Sequence, residues 1–344
     1  MRNQLMNILW VKDGKLGHEK QVQALLEELS KEIQINVIEY QPDGILTKKF
    51  KYLFSPLSAP ITNQDIRDIN LSCNENNISI IIGAGRKSHW HILKISNVIS
   101  SSKYTEGVIE KINITSKPKN IAVMFPAFHR DKFNIICAPK HDINKVRSHH
   151  KYPPQNILFY EGSLAKVSSE EVDEKVGLIA IGGKNKHYLF NMQKLMDQIE
   201  FVISIYPNKI WYIFPSRRTP SKMRDSLKIL AKTNNKIILS ENNFNEVLNK
   251  ASIKIITQDS VNMVYESLST RGSTVLFNMK YFRKNKVINQ MNELLHNKQV
   301  GYIEYNKMVK GLNKIKIHMQ NPHHEVFAEV EKLVYKIKNK LNLS

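Results

Sequence analysis

Residues 257–272, Thr257-Gln258-Asp259-Ser260-Val261-Asn262-Met263-Val264-Tyr265-Glu266-Ser267-Leu268-Ser269-Thr270-Arg271-Gly272, decide the fold. The run before them, Ile253–Ile256, reads as a buried strand. Asp259 or Ser260 is a good helix N-cap, Val261, Val264 and Leu268 carry a helical period, and Gly272 closes the helix. A second strand, 273–278, follows at once. Strand, polar turn, helix and strand form a βαβ unit, whose ligands sit at the carboxyl end of its first strand. There the helix N-terminus offers free N–H groups and partial positive charge to an anion such as a phosphate. Glu266, two turns after Asp259 on the same face, can accept hydrogen bonds from sugar hydroxyls. A capped helix with a solvated glutamate fits the same residues.

Upstream, the same grammar repeats. Asn7–Val11 reads as a strand, Asp13-Gly14-Lys15-Leu16-Gly17-His18 as a glycine turn, and Glu19–Lys31 as a helix through Val22, Leu25, Leu26 and Leu29. Gly14 and Gly17 let backbone approach a ligand closely. His18 stands at the helix start, where an imidazole can serve as a general base, cap or pack. The spacing is neither G-x-G-x-x-G nor a P-loop. Ile35–Tyr40 is a strand. The basic and aromatic residues 48–57 suit an anionic bilayer surface or a partly buried helix with snorkelling lysines.

Ile78–Ile82 is a buried strand running into Gly83-Ala84-Gly85-Arg86-Lys87, a second glycine turn with two cations. Strands at 121–125 and 133–137 lead to Pro139-Lys140-His141-Asp142, read as a hydrogen-bonded loop, and 156–160 ends the first half.

The second half restarts with strand 176–181, the turn Gly182-Gly183-Lys184-Asn185-Lys186-His187-Tyr188, and a helix over 190–203. Strand 210–214 opens on Ser216-Arg217-Arg218-Thr219-Pro220, whose hydroxyls and guanidinium forks suit a diphosphate. Strands at 236–239 and 253–256 complete the set, and 323–341 reads as an amphipathic helix. Short apolar strands separated by helices argue for parallel sheets. The expected domains are 1–165 and 166–322, with 323–344 a terminal helix packing back on the first.

With 42% hydrophobic and 24% charged residues, the 344-residue chain has a globular composition. No apolar run approaches the roughly eighteen residues of a membrane helix, and the start of the chain reads as a strand rather than a signal peptide. Two cysteines, Cys73 and Cys137, lack zinc-ligand spacing and fit a reducing, cytoplasmic setting. The net charge of +20 asks for an anionic partner: nucleic acid, a membrane surface or a phosphorylated small molecule. Compositional bias toward Lys, Asn and Ile could also produce it. No nucleic-acid-binding signature is present, so nucleic acid is not expected as a partner.

The segments 13–21, 83–88, 139–142, 181–188, 216–220 and 257–266 together resemble the bacterial glycosyltransferase family related to the plant mitochondrial-fission (elongated mitochondria) protein. More loosely, the chain is similar to the lipid-linked N-acetylglucosaminyl transferase of peptidoglycan synthesis, although Asp13–His18 is less glycine-rich than that enzyme's turn. The resemblance implies an α/β GT-B fold: two Rossmann-like, doubly wound domains facing across a cleft. It implies that Gly182, Gly183, Ser216, Arg217 and Thr219 hold a donor diphosphate, that Asp259, Ser260 and Met263 line the nucleotide site, and that Glu266 binds the ribose. His18 and Asp13 would be catalytic, with Gly14, Gly17 and Arg86 on the acceptor side.

The expected activity is metal-independent transfer of a sugar from a nucleoside-diphosphate sugar to a cell-envelope lipid or lipopolysaccharide, since no Asp-x-Asp pair is present. No cofactor beyond the donor is implied, and the enzyme would sit peripherally on the inner face of the cytoplasmic membrane. A nucleotide-sugar epimerase of the same fold and a non-catalytic adaptor are the alternatives.

Overall fold

The computed structural model describes residues 5–42, 78–100, 117–143, 154–307, 313–321 and 326–343. The basic–aromatic stretch 48–57 and Cys73 lie outside them. Two units are present, Met1–Lys166 with Glu329–Ser344, and Val167–Ala328.

In the first unit, β1 (Met6–Val11), α1 (Leu16–Ser30), β2 (Ile35–Tyr40), β3 (Ile78–Ala84), α2 (Gly85–Ser100), β4 (Lys119–Val123), β5 (Ile135–Pro139) and β6 (Ile157–Tyr160) build a parallel sheet of order β2-β1-β3-β4-β5-β6. The strands are apolar on both faces because helices cover a parallel sheet on each side. Ile78, Ile80, Ile81 and Ile82 are accordingly all buried. The terminal helix α8 (Glu329–Leu341) returns to this unit and packs on α1 and β6. Its acid Glu329 accepts the Glu161 N–H at 2.7 Å.

In the second unit, β7 (Asp173–Ile181), α3 (Met192–Ile205), β8 (Ile210–Pro215), α4 (Ser221–Thr233), β9 (Ile237–Leu239), α5 (Phe244–Lys250), β10 (Ala251–Ile256), α6 (Val261–Leu268), β11 (Ser273–Leu276), α7 (Lys286–His296), β12 (Gly301–Lys307) and β13 (Asn313–His318) follow one another. The sheet order is β13-β12-β11-β10-β7-β8-β9. All pairings are parallel except β12 with β13, an antiparallel edge that the sequence reading did not include. Gly177 on β7 has a packing reason: a Cβ there would come within 2.6 Å of the buried Trp211 ring on β8.

Local differences from the sequence reading have physical causes. α1 starts at Leu16, so the first turn contracts to three residues and Gly17 and His18 belong to the helix. β3 runs through Ala84 and α2 begins at Gly85, whose φ of +88° makes the turn in a single residue. α8 begins six residues later than position 323, because Phe327 is held in the second unit. Its N–H donates to Leu268 O, its carbonyl accepts from Ser269 Oγ, and its ring packs edge-on against Tyr265.

Lys254 is the one wholly buried lysine among the described residues. Its Nζ reaches Ser267 O (2.8 Å), Thr270 Oγ1 (2.7 Å) and Arg271 O (2.5 Å). It thereby caps the carbonyl end of α6, where an ammonium complements the helix dipole. Burial pushes this amine down to about 7.

Candidate functional site

In each unit the chain begins at an interior strand, builds one side of the sheet, then returns to build the other. The order therefore reverses between β1 and β3, and between β7 and β10. Such reversal points open a crevice at the carboxyl ends of the strands. Among the described residues a polar constellation lies at each of these points.

In the first unit, Asp13 leaves β1 and His18 occupies the first turn of α1. His18 Nδ1 lies 2.7 Å from Asp13 Oδ2, while Asp13 Oδ1 accepts the Lys15 N–H at 3.0 Å. Burial alone would raise the Asp13 carboxyl; the His18 hydrogen bond and charge, with the Lys15 N–H, outweigh it and hold the group below its usual range. A buried carboxylate on Nδ1 fixes the tautomer with Nδ1–H donating, which leaves the Nε2 lone pair as a base. The opposite wall is Gly85 from β3–α2: a Cβ there would sit 2.5 Å from His18 Nδ1 and 2.7 Å from Asp13 Oδ2. Gly14, at φ +78°, donates its N–H to Glu19 Oε1. Gly17 is a helical residue whose carbonyl accepts from Gln21, so it gives no loop freedom. Arg86 is exposed on the first turn of α2. Beneath, buried His89 donates Nε2–H to Val123 O at 2.9 Å, and burial depresses its pKa to about 4.

In the second unit the glycine turn after β7 meets the turn after β10. Gly182 N–H donates to Thr257 Oγ1 (2.7 Å) and Gly183 N–H to Asp259 Oδ2 (3.0 Å). Both amides are thus hydrogen-bonded within the protein. The glycines are also needed for close approach. A Cβ on Gly182 would come within 2.2 Å of the Asp259 carboxylate, and one on Gly183 within 2.0 Å of Arg218 O. Thr219 is buried, with its hydroxyl 2.5 Å from Gly182 O, to which it donates. Ser216 Oγ accepts the Arg218 N–H at 3.2 Å.

Asp259 is not the N-cap of α6 and does not share a helical face with Glu266. Its carboxylate, wholly buried, turns back to Gly183 and to Arg218 NH2 at 3.0 Å. Ser260 holds the N-cap position without a side-chain capping bond, so the first amides of α6 are left without that partner. Met263 and Glu266 follow on α6, both half-buried. Arg217 is exposed, and it is its neighbour Arg218 that is tied into the constellation. Asn185, which the sequence reading passed over, joins the turns: its Nδ2 donates to Asp259 O (3.2 Å) and its Oδ1 accepts the His187 and Tyr188 N–H groups.

Against solved structures, the chain aligns with a protein from Listeria monocytogenes described as a UDP-N-acetylglucosamine 2-epimerase, at 10% identity over 98% of this chain and 88% of that one, with a TM-score of 0.53. It aligns with the UDP-GlcNAc 2-epimerase of Neisseria meningitidis bound to UDP-GlcNAc at 11% identity, covering 98% and 100%, with a TM-score of 0.50. A glycotransferase of kitacinnamycin aligns at 10% identity over 98% and 94%, with a TM-score of 0.45. At these identities the first two likenesses are of fold alone: a GT-B architecture with a mainly parallel Rossmann-like sheet in each unit. No curated protein matches the sequence. The sequence profile named Mitochondrial fission ELM1 matches residues 16–314, most of the chain, and the protein therefore belongs to that family.

Proposed function

We propose that the protein is a glycosyltransferase that uses a nucleoside-diphosphate sugar, a UDP-linked sugar being the first donor to test. The observation that carries this reading is the filling of both strand-order reversals. One holds a His–Asp pair able to take a proton; the other holds guanidinium groups beside an open helix N-terminus able to take a diphosphate.

In this reading His18 Nε2 removes the acceptor hydroxyl's proton while Asp13 steadies the imidazolium. The acceptor oxygen bonds to the anomeric carbon as the bond from that carbon to the diphosphate oxygen breaks. Negative charge on the leaving diphosphate is met by Arg218, Arg217 and the amides of α6. Glu266 receives the ribose hydroxyls, with Ser260 and Met263 beside the nucleoside. The chemistry needs no metal and no cofactor beyond the donor. The charge of +20 favours an anionic lipid-linked acceptor on the inner face of the cytoplasmic membrane.

A thermal-shift panel of UDP, GDP, CMP and ADP tests the donor half. A nucleotide at about one hundred times its Kd stabilises by about 2.7 kcal/mol. UDP should stabilise the wild type and not Arg218→Ala; no shift with any nucleotide would favour an adaptor without a donor site. Because the Listeria and Neisseria proteins of the same fold are described as epimerases, UDP-GlcNAc is also incubated without acceptor. Appearance of an epimer would replace the transferase reading with that one.

A further inference from the structure

Two loops at the carboxyl edge of the second sheet are joined into one body. Residues 184–190 follow β7 and residues 280–286 lead into the first residue of α7. Tyr188 and Tyr281 form an antiparallel bridge, Leu189 N–H donates to Lys280 O at 2.8 Å, and Phe282 N–H donates to His187 O at 3.0 Å. Asn185 pins the first loop through two backbone amides, and Asn285 caps α7 by accepting from Val287 and Ile288. Tyr188 is buried beneath, so the crest is preformed.

What the crest shows to solvent is unusual. Leu189, Tyr281 and Phe282 are exposed, Phe282 by 60%. Around them stand Lys184, Lys186, Lys280, Arg283, Lys284 and Lys286, all exposed, and neither segment contains an acid. Lys184, Lys186, Lys280, Arg283 and Lys284 make no ion pair among the described residues. Burial and then the charges of Lys186 and Lys286 hold the His187 imidazole below its ordinary range, which marks the local positive field. Large apolar side chains on a rigid loop, ringed by exposed cations, are costly in water and match the interface of an anionic bilayer. There apolar groups enter the headgroup boundary and lysines meet lipid phosphates.

We propose that the crest formed by residues 184–190 and 280–286 docks the protein on an anionic lipid surface, with Leu189 and Phe282 inserting and the surrounding cations held by headgroups. The crest deepens the membrane side of the function proposed above. Its test needs no sugar donor, so the failure of one is distinguishable from the failure of the other.

The experiment is co-sedimentation of the full chain with vesicles of phosphatidylcholine alone and of phosphatidylcholine with phosphatidylglycerol. Binding should require the anionic lipid. Each cation contributes about a fivefold change in partitioning, so Lys280→Gln/Arg283→Gln/Lys284→Gln should weaken it roughly a hundredfold. Leu189→Ser/Phe282→Ser, which leaves the charge intact, should weaken it at least about tenfold. A control with the same charge loss on α4, Lys222→Gln/Lys228→Gln/Lys232→Gln, should change it far less. Three results would overturn the proposal: equal loss in the α4 control, no effect of the serine pair, or a single-stranded oligonucleotide that displaces the vesicles through the same cations without need of Phe282. Far-ultraviolet circular dichroism checks that every variant is folded.

Discussion

The Arg218 guanidinium lies 3.0 Å from the carboxylate of Asp259, an acid with no solvent exposure, while Arg218 itself remains 45% exposed. One side of the fork therefore neutralises a buried charge and the other faces outward. Removing the arginine leaves Asp259 with Gly183 N–H as its remaining donor in this constellation. Arg218→Ala should cost about 2 kcal/mol of stability, the scale of a lost charge-assisted hydrogen bond, and should also abolish the nucleotide-induced shift. Chemical denaturation with and without UDP separates the two effects. Arg217→Ala should cost almost no stability, because that side chain is exposed.

Asp13 and His18 give a different signature. Asp13→Asn keeps the shape but loses the fixed tautomer, so turnover with donor and acceptor should fall by about 10²–10⁴-fold. Nucleotide stabilisation, assigned by the proposed mechanism to the second unit, should stay as in the wild type. A variant that lost both equally would show that Asp13 merely supports the fold.

Gly85 tests the same pair from the opposite wall. Gly85→Ala forces a side chain into a positive-φ position and toward His18 Nδ1 and Asp13 Oδ2. The backbone conformation alone costs about 1–2 kcal/mol. The added methyl should also turn the imidazole away, visible as loss of the low Asp13 pKa in a carboxylate NMR titration.

The pH dependence of stability carries a mark of His89. Its folded pKa of about 4 lies below the ordinary 6.5, so its contribution is full above pH 6.5 and is lost as pH falls through 4. That interval is worth about 3 kcal/mol. His89→Gln, which retains a donor for Val123 O and cannot titrate, should flatten the acid limb of a urea-denaturation profile by about that amount.

How much of this was legible in the residues varied with the range of the interaction. The βαβ unit over Ile253–Leu276 could be read because an apolar strand, a helical period and a closing glycine are local properties. The glycine turns could be located, but the reason for their glycines could not. Gly182 and Gly183 exist to admit Asp259 and the Arg218 backbone, partners 35 or more positions away in sequence. For the same reason Arg217 and Arg218 look equivalent in the sequence, and only the Asp259 carboxylate distinguishes them. The β12–β13 hairpin went unread because neither strand bears a turn signal as clear as the glycine turns. Gly85 could have been singled out by asking what lets an apolar strand pass into a helix in a single residue.

The return of α8 to the first unit gives the protein the topology of an insertion. Residues 167–328 interrupt a unit that resumes at Glu329, and the two crossings leave from neighbouring points. On one side Glu161 is bonded to Glu329; on the other, Ser269 takes the Ser168 N–H on its carbonyl and donates its hydroxyl to Phe327 O. The second unit can therefore be excised as one continuous piece with adjoining ends, whereas the first cannot be obtained by any single cut. A graft joining Lys166 to Glu329 through a short linker would be its minimal form, and a stop codon after Ala328 would strip α1 and β6 of their cover.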